Sequence, residues 1–294
     1  MKPAKFDYHD PTTLENALEL MSRHGEQARP LAGGQSLVPL MNFRLLRPAH
    51  IIDLNGVNEL DYLKVENGAL RVGATTRQRQ LERSPEVAQH WPLLRDATAF
   101  IGHIQIRNRG TVGGSLAHAY PSAELPVAML TLDASMVIRA KTDQRIVRAE
   151  DFFVSTMTTA LEADELLTEI QIPALPANCG WAYQEVSRRH GDFALAGAAC
   201  VIVLDDNGTI KHARLTLTGT APIRAVEAEQ SLLGEKPSEA LFKNAAARAT
   251  ENLAQDSDIH ASAEYRQSAC QVLARRALAQ AAERSAELTK GSSR

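Results

Sequence analysis

The chain has 294 residues, enough for two domains at about 150 residues each. With 44% hydrophobic and 23% charged residues it has the composition of a folded protein, and its net charge of −3 excludes a dedicated nucleic-acid-binding protein. The three cysteines, Cys179, Cys200 and Cys270, exclude a disulfide framework, fit a reducing compartment and are too few to hold an iron–sulfur cluster unaided.

No secretory signal is expected, because the N-terminal segment contains no apolar run. The longest apolar stretch, residues 193–204, is too short to cross a bilayer. We therefore expect a cytoplasmic protein without a membrane span.

The first half of the chain is predicted to mix helices and strands. Thr12 is expected to cap a first helix, with Glu15 as its capping-box partner, and a second helix is expected to start at Ser36. The other predicted elements are a strand over 51–54, hairpins over 60–73 and 135–147, helical segments from residue 84 with a break at Pro92, a helix over 125–132 and a strand over 166–172.

The segment 173–180 is rich in proline and is the best candidate for a linker. Beyond it the pattern predicts three strands, over 181–187, 193–204 and 210–217, and then three helices, over 225–233, 238–252 and 263–288. Strands followed by helices indicate an α+β class rather than regular βαβ alternation.

Several catalytic and binding motifs are absent from the sequence. It contains no GxGxxG after a predicted strand, no P-loop, and no HExxH, GxSxG or CxxC. His103 and His118 have no third ligand at metal spacing, so no metal site is expected, and spacing singles out no catalytic residue.

Two glycine-rich segments, residues 32–37 and 111–116, share one design. Each contains a Gly-Gly pair close to a hydroxyl side chain. Glycine permits positive φ and a close approach of the backbone to a ligand, and consecutive N–H groups in such a turn can surround an anion. A diphosphate group is one such anion, but two tight turns at helix starts would produce the same pattern.

At these residues the sequence resembles the FAD-binding medium subunit of the molybdenum hydroxylases, the xanthine dehydrogenase and carbon monoxide dehydrogenase family. The resemblance covers nearly the whole chain, with several motifs in the family's order. These motifs are Phe6-Asp7-Tyr8, the segment 32–37, the segment 106–117 with its continuation 121–126, the segment 189–194, and the closing helix from Tyr265-Arg266 to 275–278.

The resemblance implies sixteen cofactor-binding residues. In the family the two glycine segments hold the FAD diphosphate, an acidic residue binds the ribose or adenosine part, and apolar residues line the flavin and adenine rings. The corresponding residues here are Arg29, Ala32, Gly33, Gly34, Gln35, Ser36, Leu37, Ile101, Gly102, Thr111, Gly113, Gly114, Ser115, Glu124, Leu167 and Phe193.

Some of these positions also have ordinary structural explanations. Leu167 and Phe193 would suit core packing, and Glu124 would suit the start of a helix. Two positions depart from the family pattern: Glu185 stands where many relatives have a lysine, and Tyr120 replaces a residue that is often acidic.

The implied fold is a PCMH-type FAD-binding domain over residues 1–176, with subdomains 1–56 and 57–176. An α+β domain with a small antiparallel sheet and helices follows over 177–290. In this family the flavoprotein subunit has no catalytic side chains of its own; it passes electrons from the two [2Fe-2S] clusters of a small subunit through FAD to an acceptor.

The resemblance also implies a large, molybdopterin-binding subunit and a dimer of heterotrimers. The substrate and the electron acceptor do not follow from this chain. Two other functions remain open at this point: a self-sufficient FAD-dependent oxidoreductase, and a non-redox module that binds a nucleotide or phosphate.

Overall fold

The structure, a computed structural model, describes residues 2–292. The chain begins with a three-stranded parallel sheet in the order β1-β3-β2, crossed by two helices. Its elements are β1 (Asp7–His9), α1 (Leu14–His24), β2 (Ala28–Leu31), α2 (Leu37–Asn42) and β3 (His50–Asp53).

Helix α1 buries one apolar face against this sheet. Its buried residues Leu14, Ala17, Leu18 and Met21 recur at helical spacing and pack with Ile52 of β3. The expected capping box is wrong by one residue: Thr13, not Thr12, caps the helix, and its Oγ1 accepts from the N–H of Asn16 at 3.2 Å. A threonine at either position fits the sequence pattern, and only the backbone geometry decides between them.

An antiparallel five-stranded sheet follows, in the order β4-β5-β10-β6-β7. The predicted hairpins and the strand over 166–172 are confirmed, and Asn67 and Gly68 turn the first hairpin with positive φ. The strands are β4 (Leu63–Glu66), β5 (Ala69–Gly73), β6 (Ser135–Arg139), β7 (Gln144–Arg148) and β10 (Leu166–Ile172), with a separate hairpin of β8 (Phe153–Ser155) and β9 (Thr158–Thr159) that the sequence did not predict.

Seven helices accompany this sheet and share its core. As predicted, the helical region after residue 84 breaks at Pro92, and the indole N–H of Trp91 there donates to the Pro173 carbonyl at 2.8 Å. The helices are α3 (Gln78–Arg83), α4 (Pro85–His90), α5 (Pro92–Phe100), α6 (Ile104–Arg109), α7 (Val112–His118), α8 (Glu124–Thr131) and α9 (Ala149–Phe152).

The last part of the chain is an antiparallel sheet in the order β11-β12-β13-β14, covered by helices. The predicted strand over 193–204 is too long, because β12 starts only at residue 196. The elements are β11 (Cys179–Val186), β12 (Ala196–Leu204), β13 (Ile210–Leu217), β14 (Ile223–Arg224), α10 (Val226–Leu232), α11 (Glu239–Glu251) and α12 (Ala263–Ser292).

All nine residues of β12 are buried, and alternate side chains enter different cores. Ala199, Val201 and Val203 pack into the core of the five-stranded sheet and its helices. Ala198 and Cys200, on the opposite face, pack with α10, α11 and α12. Because neighbouring side chains of a strand point to opposite faces, this strand helps to join the C-terminal unit to the rest of the protein, together with Cys179 and Tyr183 of β11, which also pack in the first of these cores.

The mixed helices and strands and the antiparallel C-terminal sheet confirm the predicted α+β class. Within residues 2–292, no helix is both long and apolar enough to cross a membrane.

Candidate functional site

The first glycine segment connects β2 to α2. Gly34 has φ +73°, a conformation that a residue with a Cβ rarely adopts. Among the described residues, no hydrogen bond involves the backbone N–H groups of residues 33–37. Gln35 and Ser36 are exposed. The segment therefore has a row of backbone N–H groups without a hydrogen-bond partner in the described structure, an arrangement that suits an anion.

The second glycine segment differs from this expectation. Gly113 and Gly114 lie in the first turn of α7, which Thr111 caps by accepting from the Gly114 N–H at 3.1 Å. The N–H groups of Val112 and Gly113 donate to the carbonyls of Thr76 and Ala74. The backbone donors of this turn thus bond the protein itself, and its accessible part consists of the exposed Gly114 and the half-buried Ser115.

The two segments meet backbone to backbone. A Cβ on Gly33 would lie 2.6 Å from the carbonyl oxygen of Arg109 and 2.8 Å from the Cα of Gly110. A Cβ on Gly114 would lie 3.8 Å from the Cβ of Ala32. Only glycine at position 33 permits this approach, so the two segments form one surface between the first and the second sheet.

Arg77 holds this junction together. Its guanidinium donates to the Arg109 carbonyl at 2.5 Å and to Asn55 Oδ1 at 2.6 Å, and the Asn55 amide donates to the Ala32 carbonyl at 2.9 Å. Sequence reasoning missed Arg77 and Asn55, because neither belongs to a motif and their partners are distant in the chain.

A second arginine shapes the turn after α5. Arg107 is 7% exposed; it donates to the carbonyls of Ile101 and Gly102 at 2.8 and 3.0 Å and pairs with Glu82. Gly102 has φ +44°. The buried Ile101 and this turn are therefore fixed in place, next to the helix that leads to the second glycine segment.

The segment 189–194 from the C-terminal unit reaches the same region. A Cβ on Gly191, whose φ is +87°, would lie 2.3 Å from Cε1 of His103. Phe193 is 63% exposed, and its ring centroid lies 4.5 Å from that of Tyr120, just beyond α7. Phe193 is thus not a core residue, and the structure places it against the end of the helix that carries Gly113 and Gly114.

Two carboxyl groups come together beneath this surface. Glu124, the first residue of α8, is 5% exposed, and burial together with the charge of Glu185 raises its pKa to about 8. Burial also raises the pKa of Glu185 to about 7, although the hydroxyl of Tyr183 donates to its Oε2 at 3.0 Å. Without a ligand, Glu124 is therefore largely protonated at neutral pH.

Two of the sixteen predicted residues have other contacts. The Arg29 guanidinium donates to the Glu26 and Ala28 carbonyls at the start of β2, whereas the glycine segment follows the end of β2. Leu167 is 5% exposed and packs in the core of the five-stranded sheet. Their contacts with a cofactor stay predictions, as do the roles of the other fourteen residues.

The residues at this surface fit a dinucleotide such as FAD. The backbone donors of residues 33–37 suit a diphosphate, and the close approach at Gly33 requires the absence of a side chain. Asp192 Oδ2 is buried without a hydrogen bond in the described structure, although Arg188 and Arg189 lie 3.6 and 3.8 Å away. A ligand donor would satisfy that oxygen.

Comparison with known proteins points to the same cofactor. Residues 4–175 match the family described as the FAD binding domain in molybdopterin dehydrogenase, and residues 181–281 match the CO dehydrogenase flavoprotein C-terminal domain. The chain is 41% identical to the alpha subunit of the 6-hydroxypseudooxynicotine dehydrogenase complex of Paenarthrobacter nicotinovorans, over 97% of both chains.

Two further relatives match the same share of this chain. The chain is 40% identical to the beta subunit of caffeine dehydrogenase from Pseudomonas sp. strain CBB1, over 97% of both chains. The structure superposes on a chain of carbon monoxide dehydrogenase from Hydrogenophaga pseudoflava with a TM-score of 0.94 at 36% identity, covering 97% of this chain and 99% of that one.

The raised pKa of Glu124 predicts a pH-dependent stability. Because the folded state binds a proton that the unfolded state releases between about pH 5 and pH 8, stability falls as pH rises through this range, by at most about 1.4 kcal/mol per pH unit for this one group. Glu124→Gln should flatten this decline and raise the melting temperature at pH 8. Thermal unfolding of the flavin-free chain from pH 5 to pH 9 measures both effects.

Glu169 is a control whose pKa is shifted in the opposite direction. It is also buried, but hydrogen bonds from Arg71 and Tyr62 outweigh the effect of burial and lower its pKa. The stabilisation that ionised Glu169 contributes to the folded state is present at neutral pH and is lost as pH falls. Glu169→Gln should therefore lower the melting temperature at pH 8. Equal pH profiles for Glu124→Gln and the parent chain would contradict the assignment of a raised pKa.

Proposed function

The chain belongs to the FAD-binding medium subunits of the molybdenum hydroxylase family, and we propose that it conducts electrons from the [2Fe-2S] clusters of a partner subunit, through FAD, to an acceptor. The observation that carries this proposal is the junction at Gly33. There the unpaired backbone donors of the first glycine segment adjoin the turn capped by Thr111.

Each part of the site has a proposed task. The N–H groups of residues 33–37 bind the diphosphate, and Ser115 adds a hydroxyl donor from the second segment. Glu124 binds a hydroxyl of the ribose or adenosine part, as an acid that also accepts hydrogen bonds. The turn at Ile101 and Gly102 and the exposed ring of Phe193 line the flavin.

Bound FAD supplies the redox chemistry, accepting and releasing electrons one or two at a time. The chain's own residues position the cofactor and limit the access of water and oxidants to it. No side chain is assigned as a catalytic acid, base or nucleophile, which is consistent with substrate chemistry in another subunit.

The related proteins are subunits of multi-subunit dehydrogenases, and this chain is likewise a subunit of an enzyme complex. We propose that its partners are a molybdopterin-binding large subunit and a small subunit with two [2Fe-2S] clusters, assembled as a dimer of heterotrimers. A cytoplasmic location is proposed too; the free, buried thiols of Cys179, Cys200 and Cys270 support it.

Purification of the complex tests this function directly. We expect one non-covalent FAD per chain, released into the supernatant by acid precipitation, and substrate reduction of the iron–sulfur clusters followed by bleaching of the flavin absorption. A colourless chain would favour the nucleotide-binding module, and a flavin that substrate reduces in the isolated chain would favour the self-sufficient oxidoreductase.

Substitution of Gly34 tests the first glycine segment. Gly34→Val should weaken FAD binding about 10- to 150-fold, because relaxation from φ +73° turns N–H groups away from the diphosphate, and each charge-assisted hydrogen bond contributes about 1.5–3 kcal/mol. Flavin content after purification and a titration with FAD measure the loss.

Gly68 is a matched control for this variant. It has φ +78°, in the turn between β4 and β5, and no described atom lies within 4 Å of its added Cβ. Gly68→Val therefore imposes comparable backbone strain outside the site and should retain full flavin content. Equal FAD affinity in the two variants would show that the first segment is only a turn.

Phe193 is predicted to cover part of the flavin. Phe193→Ala should change the rate at which the reduced flavin reacts with oxygen and should raise flavin fluorescence. FAD binding should weaken only modestly, because an aromatic contact contributes about 0.5–1.5 kcal/mol to the binding free energy beyond the effect of burial. Stopped-flow reoxidation and fluorescence of the FAD-loaded protein measure these changes.

Phe242 is the control for a structural effect. It is 5% exposed and packs with Ala245 and Ala246 in the core of the C-terminal unit. Phe242→Ala should lower the melting temperature and leave the flavin's reoxidation rate unchanged. If Phe193→Ala behaves in the same way, its assignment to the flavin site is wrong.

A further inference from the structure

Three histidines from three different elements meet at one end of the first sheet. They are His9 at the end of β1, His24 at the end of α1, and His50 at the start of β3. One nitrogen of each ring lies within 4.8 Å of the others. His9 Nε2 is 3.2 Å from His50 Nδ1, and the centroids of the His24 and His50 rings are 3.8 Å apart.

The parallel topology creates this cluster. In the ladder, Asp7 lies opposite His50 and His9 opposite Ile52, so these side chains share one face of the sheet. Helix α1 crosses that face and ends at His24, just before the chain enters β2. The three histidines are far apart in the sequence, and spacing gave no sign of them.

This cluster is separate from the proposed FAD site. His50 pairs with Ala28 at the start of β2, whereas the first glycine segment follows Leu31 at its other end. Three residues of a strand span about 10 Å. None of the three histidines is among the residues assigned to the cofactor.

The geometry matches that of a small metal ion with nitrogen ligands. A tetrahedral Zn²⁺ with bonds of about 2.0–2.1 Å places its ligand atoms about 3.3–3.4 Å apart, close to the separation of His9 Nε2 and His50 Nδ1. All three rings are partly buried. The Asp7 carboxylate lies 3.8 Å from His50 Nδ1, within reach of a fourth coordination position.

We propose that His9, His24 and His50 bind one divalent transition-metal ion of the Zn²⁺ class, with Asp7 or water as the fourth ligand. Imidazole ligands suit Zn²⁺, Cu²⁺ and Ni²⁺ better than Mg²⁺ or Ca²⁺. The ion links α1 to β1 and β3. It therefore has a structural role, stabilising the subdomain that carries the first glycine segment.

Zinc titration of the FAD-loaded protein tests the proposal. After removal of metal with EDTA and dialysis, isothermal titration with ZnCl₂ at pH 7.5 should show one site per chain with micromolar or tighter affinity. Saturating Zn²⁺ should raise the melting temperature by about 5 °C, because it binds only the folded state. Co²⁺ should give the visible d–d absorption of tetrahedral coordination.

Substitutions of the histidines test whether they are the residues that bind zinc. His50→Ala and His24→Ala should each reduce zinc affinity at least tenfold, while His260→Ala, an exposed histidine in the loop before α12, should leave it unchanged. Flavin content confirms that each variant is folded. Zinc binding unchanged in the triple variant His9→Ala, His24→Ala, His50→Ala, or no zinc binding by the parent protein, would overturn the proposal.

Discussion

The proposed cofactor site depends on one contact, the approach of Gly33 to the backbone at Arg109 and Gly110. Any larger residue at position 33 would push the first sheet away from the second, because the obstacle is backbone and cannot move aside. Arg77 and Asn55 then fix the two sides by hydrogen bonds to the Arg109 and Ala32 carbonyls. The proposed site therefore needs both sides of this junction to be in place.

The C-terminal unit also contributes to the proposed site, and β12 is one of the strands that hold this unit in position. The side chains of β12 alternate between two cores, so the unit cannot shift without exposing apolar surface on both faces of the strand. This anchoring holds the segment with Gly191 against His103 and the ring of Phe193 beside Tyr120. A packing constraint far from the cofactor thus determines what covers the flavin in the proposed complex.

The charged side chains around the proposed site differ in whether a neighbouring group compensates their charge. Arg77 and Arg107 use their guanidinium groups mainly to hold turns, by donating to carbonyls, and Arg107 is also neutralised by Glu82. Glu124 is buried and forms no salt bridge within residues 2–292, and its raised pKa reflects the cost of charging it there, beside the charge of Glu185. The proposed ribose ligand would offset this cost, because its hydroxyl groups can donate hydrogen bonds to the Glu124 carboxyl group in either of the protonation states of Glu124.

The local elements and the family resemblance follow from the amino-acid sequence alone. Periodicity and turn residues placed the strand over 166–172, the hairpin at Asn67-Gly68 and the helix break at Pro92, because these depend on neighbouring residues. The folded structure was needed to show which backbone amides of the glycine segments lack a partner among the described residues, that Phe193 precedes β12, and that Arg77 joins the two glycine segments. It alone brought three histidines together, because strand register, not spacing in the chain, sets distances between separate elements.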